Sequence, residues 1–334
     1  MTTSLGDAWT RRSMITTSPQ LRNLFLDNVW HSMPSPMSVP GIVSTCGTLP
    51  YPLSILPESA ASIISLSAAT LVNLNLRFIE VVGFSPVLLH AIQSVTNLER
   101  LAILGPQSSH NVNDFMSLKT LLENTPSLQS LAIKFSSLPS MRLRPGSLPR
   151  LSHFYVSCSL NNHRACIDIC REEKRPISCL ELCPAANPNS TASIALGLIN
   201  TLETLFIISI PNLVPCGIRR HVFPNLRVLR SEYCQSPIMN LYWLRWPMLK
   251  TVEVLVTSYR SGSIYWRNIL QEHQLPTFRK HPKLQHIVFT TVEGDHIQDY
   301  LADSFARVGI ICHFMPQLNT NQLATLPDRL TLGT

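Results

Sequence analysis

Pro126-Ser-Leu128-Gln-Ser-Leu131-Ala-Ile133 is the stretch on which the fold turns, because it recurs along the whole chain. Five more segments share the Pro-x-Leu opening: Pro19-Gln-Leu21-Arg-Asn-Leu24-Phe-Leu26, Pro149-Arg-Leu151-Ser-His-Phe154-Tyr-Val156, Pro224-Asn-Leu226-Arg-Val-Leu229, Pro247-Met-Leu249-Lys-Thr-Val252-Glu-Val254 and Pro282-Lys-Leu284-Gln-His-Ile287-Val-Phe289. Four lack the proline and start at Leu71, Leu98, Ile177 and Leu202. A chain that is 45% hydrophobic produces such apolar spacing several times by chance. The proline is harder to dismiss, since with 25 prolines in 334 residues about one phrase in ten should carry it there, and six do.

The spacing adds to the argument. First apolar positions at 71, 98, 128, 151, 177, 202, 226 and 249 are separated by 27, 30, 23, 26, 25, 24 and 23 residues. A fixed period of this size decides the architecture before local propensity does. Within each phrase the last two apolar residues are two apart and share one face of a strand. The proline ahead of the phrase blocks helix continuation and favours an extended start. Between phrases lie stretches of helical period: 86–95, 112–124, 191–199, 238–244, 264–270 and 297–308. One strand and one helix cannot bury an apolar face alone, whereas stacked copies can. The expectation is an α/β, right-handed solenoid of nine to ten parallel strands, with the sheet inside and the helices outside.

These phrases resemble irregular leucine-rich repeats of the ribonuclease-inhibitor-like class. The Pro-x-Leu-x-x-Leu-x-Ile flavour, with uneven unit lengths, resembles the repeat region of F-box leucine-rich-repeat proteins of fungi. The likeness covers roughly residues 19–315 and is specific for fold more than for molecular role. The family places Asn or Cys three residues past the last leucine. Here that slot holds Val29, Pro106, Ser136, Ser159, Ile210, Cys234, Thr257 and Val292, and only Cys234 fits, so no continuous asparagine ladder is expected. The resemblance implies a horseshoe with a concave protein-binding face, and the substrate-binding part of an SCF-type ubiquitin ligase receptor. Only 18 residues precede the first phrase, too few for an F-box, so docking to the ligase scaffold is expected only if that module is missing from this sequence. The alternative is a repeat-only scaffold or truncated remnant without a ligase role.

Domain boundaries follow from the same pattern. Residues 1–18 read as a disordered N-terminal segment, 19–315 as the solenoid, 30–58 within it as a proline-rich excursion, and 316–334 as a loose C-terminal tail. Val308 to Met315 reads as a closing strand. Charged residues are 14%, against about 25% in ordinary globular chains. No run approaches a membrane span, and no signal peptide opens the chain, which places the protein in the cytoplasm or nucleus. The net charge of +7 is spread over separate turns rather than gathered on one track, so nucleic acid is not expected as a partner.

Chemistry-bearing motifs are missing. There is no glycine-rich phosphate loop, no Gly-x-Ser-x-Gly and no His-Glu-x-x-His. The nine cysteines fit neither a secreted disulfide framework nor a zinc ribbon, even when His163, Cys166 and Cys170 are combined with Cys158 or Cys179. They read as free thiols behaving as small hydrophobes. His273, His281 and His286 read as surface histidines rather than metal ligands. Neither enzyme activity, nor a cofactor, nor a metal is implied. The informative positions lie between the apolar ones of each strand, pointing away from the core. The candidate binding residues are Arg100, Lys134, His153, Tyr155, Phe206, Arg230, Glu232 and Glu253, with Tyr155, Phe206 and Arg230 as anchors because aromatic and arginine side chains dominate interfaces. In the ninth unit this reading points Thr251, Glu253 and Leu255 away from the core.

Overall fold

The computed structural model describes residues 21–29, 55–79, 82–105, 115–134, 138–157, 163–171, 175–183, 188–235, 241–271, 274–281, 283–290, 292, 294–316, 322 and 325–331. Its frame is one parallel sheet of eleven strands in strict sequence order. The strands are β1 (Asn23–Val29), β2 (Asn73–Phe78), β3 (Arg100–Leu104), β4 (Ser130–Lys134), β5 (His153–Ser157), β6 (Cys179–Cys183), β7 (Thr204–Pro211), β8 (Val228–Gln235), β9 (Val254–Thr257), β10 (His286–Phe289) and β11 (Ile311–Phe314). Helices fall in the connections: α1 (Pro57–Leu66), α2 (Pro86–Gln93), α3 (Phe115–Glu123), α4 (His163–Arg171), α5 (Pro188–Gly197), α6 (Cys216–Arg219), α7 (Tyr259–Gln271) and α8 (Asp295–Ala306). Parallel neighbours need such crossovers, because a two-residue hairpin cannot return the chain to the same end of the sheet.

One hydrogen-bond device ties successive turns together. At the starts of β2 to β10, two successive N–H groups donate to a single carbonyl of the preceding turn. Val72 and Asn73 both donate to the Arg22 carbonyl, Gln129 and Ser130 to Glu99, Arg227 and Val228 to Glu203, and Glu253 and Val254 to Arg227. The register that follows stacks like on like: Leu24, Leu74, Leu101, Leu131, Phe154, Leu180, Leu205, Leu229, Leu255 and Ile287 form one row across the sheet. All are buried, in one continuous cluster with helix residues such as Leu88, Ile92, Leu118, Leu122 and Ile169. The helices therefore cover one face of the sheet, which is the core face.

A second ladder runs along the edge where the strands begin. The residue just before the first apolar position donates from its side chain to a backbone carbonyl of the preceding turn. Thr70 Oγ1 reaches the Leu21 carbonyl at 3.1 Å, Asn97 Nδ2 that of Ala69 at 3.3 Å and Ser127 Oγ that of Thr96 at 2.9 Å. Thr201 reaches Ile177 at 2.8 Å, Asn225 reaches Asn200 at 2.7 Å and Thr251 reaches Phe223 at 2.8 Å. The expected absence of an asparagine ladder concerned the slot after the strand; the polar ladder sits before it.

Local signals explain the helix boundaries. Ser85 caps α2, its hydroxyl accepting from the Leu88 N–H at 3.3 Å, with Pro86 in the first turn, where a missing N–H costs nothing. At the end of α8 the chain reverses through Gly309 at φ 82, and the Ile310 N–H returns to the Phe305 carbonyl at 3.1 Å. A cluster of edge-to-face rings, Trp266 with Phe289 at 5.6 Å and with Phe305 at 5.8 Å, fills the core near the last strands.

Four expectations change. The sheet has eleven strands rather than nine to ten. Of the supposed excursion, Ile55 bridges to Val29 and Pro57 opens α1, so the segment from Ile55 onward belongs to the stacked turns. The ninth unit is displaced by three residues. Pro247–Leu249 is a 3-10 turn, and Leu255 pairs with Leu229 and Ile287. Leu255 is core, Val254 and Val256 point the other way, and Thr257 pairs with Phe289 inside the sheet rather than filling the family slot. Finally, the tail is not wholly loose, since Leu326–Thr331 forms a ninth helix, α9. Residues 1–18 and 30–54, together with Pro106, Ser136, Cys158, Ser159 and His273, lie outside the described residues.

Candidate functional site: the helix-free face of the sheet

In each unit two strand positions flank the buried row residue and point away from the helices. They read Asn23 and Phe25 in β1, Asn73 and Asn75 in β2, Arg100 and Ala102 in β3, Ser130 and Ala132 in β4, and His153 and Tyr155 in β5. Cys179 and Glu181, Thr204 and Phe206, Val228 and Arg230, Val254 and Val256, and His286 and Val288 continue the series. Three regions of different chemistry result.

The first, over β1 to β4, is polar and small. Asn73 Nδ2 donates to Asn23 Oδ1, and Phe25 stands 71% exposed. The central region, over β5 to β8, gathers the charged and aromatic candidates. His153 Nδ1 shares a 2.7 Å hydrogen bond with Ser130 Oγ, and its Nε2 lies 3.3 Å from Glu181 Oε1 without the alignment of a hydrogen bond. Lys134 Nζ lies 4.4 Å above the Tyr155 ring. The Arg230 guanidinium lies 4.6 Å above Phe206. Both are cation–π contacts.

The cysteine of this region is not poised for chemistry. Burial pushes the Cys179 thiol far up, Glu181 adds to the effect, and Arg230 opposes it. A thiol held protonated is a weak nucleophile. Cys234 and Cys312 are likewise pushed up to about 12 by burial. Cys166 and Cys170 are buried on α4 outside any disulfide, and Cys216 is exposed.

The third region, over β8 to β10, is apolar. Val228, Val254, Val256 and Val288 form a cluster separate from the main core, completed by Leu326 and Leu330 of α9 and flanked by Met315. Arg227, at the strand-start edge beside it, donates to Glu253 Oε2 and to Asp328 Oδ1, both at 3.0 Å. His286 Nδ1 and His313 Nε2 face each other at 3.1 Å alongside.

Of the candidate residues, Lys134, His153, Tyr155, Phe206 and Arg230 meet in the central region. Arg100 is half-buried on β3 with the polar region, and Glu232 is exposed at the far end of β8. Two candidates need correction. Phe206 is only 7% exposed beneath Arg230, so the guanidinium rather than the ring meets solvent. Glu253 lies on the strand-start edge, paired with Arg227, because the ninth unit begins three residues later than the Pro-x-Leu signal suggests. The valine cluster escaped the sequence reading in part through the same slip, which placed Val254 among core positions.

A groove of about 410 Å³ runs along the edge by Arg22, Thr70, Asn97, Glu99, Ser127 and Arg150. Thr70, Asn97 and Ser127 are committed there to the inter-turn ladder. Among the described residues no three His, Cys, Asp or Glu side chains could hold a metal ion together, and no helix is long and apolar enough to cross a membrane. No model of a known protein family matches this chain, and no curated protein matches it.

Proposed function

We propose that the chain is a right-handed leucine-rich-repeat solenoid of the ribonuclease-inhibitor-like class, and that its helix-free face is a concave surface recognising another protein. The handedness rests on the strong right-handed bias of strand–crossover–strand units in a parallel sheet. Consecutive parallel strands in strict sequence order, with helices in most of the connections, support the repeat class. The observation that carries the function is the pairing of cations and aromatic rings on one face. Lys134 over Tyr155 and Arg230 over Phe206, with His153 and Glu181 between them, concentrate anchor-type side chains in the middle of the sheet. A role as substrate receptor of a ubiquitin ligase is a further step, supported by the resemblance of the repeat phrases to F-box relatives.

A second reading, a self-contained scaffold, is favoured by one observation: the apolar third of the face is already filled by α9. The two separate by capture. The chain, immobilised and crosslinked in lysate of the cells that express it, should retain one partner that is lost with Lys134→Glu, Tyr155→Ala and Arg230→Glu combined. Met116→Ala and Val87→Ala, on exposed positions of α3 and α2, should leave it bound. Glu123 is unsuitable as a helix-side control, since its carboxylate accepts from both the Arg144 backbone N–H and Nε. Retention that depends on the helix-side pair and not on the central residues would overturn the proposal.

A further inference from the structure

We propose that the valine platform is a docking site for a short amphipathic helix of a protein partner, bearing two leucines four residues apart with an acidic residue between them. On this proposal, α9 is the chain's own displaceable stand-in for it. This rests on reading the helix-free face as a recognition surface, and it adds which third of that face binds and what it binds.

The platform is not required by the stacking of turns. In β2 to β4 the corresponding positions hold Asn73, Asn75, Arg100, Ala102, Ser130 and Ala132, and those strands pair in the same register. Four valines gathered on β8, β9 and β10 on the side away from the main core form instead a surface shaped for something apolar. What fills it has definite chemistry. Leu326 and Leu330 lie one helical turn apart and are 2% and 6% exposed. Asp328, between them, accepts from Arg227 at the platform's edge at 3.0 Å. The occupant is thus read by an apolar platform and one cation, as a helix-in-groove contact is.

The stand-in is built to leave. A six-residue helix has no stability of its own in water, since isolated helices shorter than about 12–15 residues are marginal. Its order comes from its contacts with the rest of the chain, the valine platform foremost. The Arg227 pair is partly solvated, with the Asp328 side chain 67% exposed, and adds little holding energy. The chain length allows it as well. Ten residues, 316–325, can span roughly 33 Å, whereas the three strand spacings from β11 back to β8 need only about 14 Å. A partner helix with the same leucine spacing and several further turns, longer than about 15 residues, would contact the same valines and keep more of its helicity on release. The tethered tail would compete with it as a local ligand at millimolar-scale effective concentration.

The test uses the full chain and, as probe, a fluorescein-labelled peptide of residues 322–334, read by fluorescence anisotropy. Wild type should bind the probe weakly. Leu326→Asp with Leu330→Asp should release the tail and tighten probe binding at least tenfold, Leu330→Ala should give an intermediate gain, and Val256→Asp added to either should abolish it. Equal affinity for wild type and released chains, or binding indifferent to Val256→Asp, overturns the proposal. So does loss of the cooperative melt in both tail variants, which would make α9 part of the fold. Hydrogen exchange on wild type gives a check independent of any variant: the 326–331 amides should exchange far faster than those of β9, and co-protection with β9 overturns it. A wild-type dimer, seen by light scattering, that the double substitution splits would make a second copy the occupant, and also overturns it. A chain that captures no partner through the central region yet binds the probe refutes the broader reading while leaving the platform standing.

Discussion

Leu131 and Leu205 are fully buried between neighbouring turns, so their truncation tests the register most directly. Leu→Ala at either should cost about 2–5 kcal/mol through lost transfer energy and the cavity left behind. Urea unfolding measures it, and a loss under ~1 kcal/mol would contradict the packing. Two tryptophans should behave differently. Trp243 Nε1 donates to Tyr265 Oη at 2.7 Å, whereas Trp266 Nε1 is buried without a partner among the described residues. Trp→Phe at 243 leaves the tyrosine hydroxyl short of a donor and should cost about 1–3 kcal/mol. At 266 the same change removes an orphaned donor, so the melting temperature should fall less than at 243. Leu131 and Leu205 were legible in the sequence because the phrase itself marks them. The environment of Trp266 was not, since its neighbours Phe289 and Phe305 come from two later elements, β10 and α8.

At the scale of elements, the strands declared themselves wherever the Pro-x-Leu signal coincides with the strand start. It fails in the ninth unit because the proline comes one turn early. Pro247–Leu249 closes a 3-10 turn, and the true phrase, Val252 to Thr257, ends in threonine where leucine or isoleucine is usual. The tail helix left no periodic trace, since six residues are too few to show one. Its trace lay elsewhere, in the unexplained valines opposite the core. The last elements also carry a pH response. Burial holds the imidazoles of His281, His286 and His313 below the ordinary histidine range. His286 lowers His313 further, and Glu253 works the other way on His286. The unfolded chain takes up these protons near pH ~6.5 while the folded chain still refuses them. Stability is therefore whole above that pH and drains away as pH falls from there to the folded values. The urea midpoint should drop between pH 7.5 and 5.5, and His286→Asn with His313→Asn should flatten the slope; a slope unchanged by that pair would contradict the assignment.

For the molecule as a whole, the strand order makes each turn answerable chiefly to its two neighbours, so stability is close to a sum of unit and nearest-neighbour contributions. Amide exchange should accordingly be slowest in β3 to β8 and faster toward β1 and β11, and uniform protection from end to end would argue against a one-dimensional stack. The shared carbonyl at the starts of β2 to β10 has a consequence for surgery on the gene. Because one oxygen receives two donors in the same way along that run, a cut made from one such oxygen to the next rejoins equivalent atoms. Excising residues 73–99 would bring Val72 directly before Arg100 and offer both N–H groups to the Arg22 carbonyl, as Val72 and Asn73 do now. Leu101 would then stack on Leu24. The shortened chain should keep its circular dichroism signature and melt cooperatively at a lower temperature. An equally long excision placed ten residues out of phase should not fold. If both fail alike, the carbonyl does not set the repeat and the helix side does.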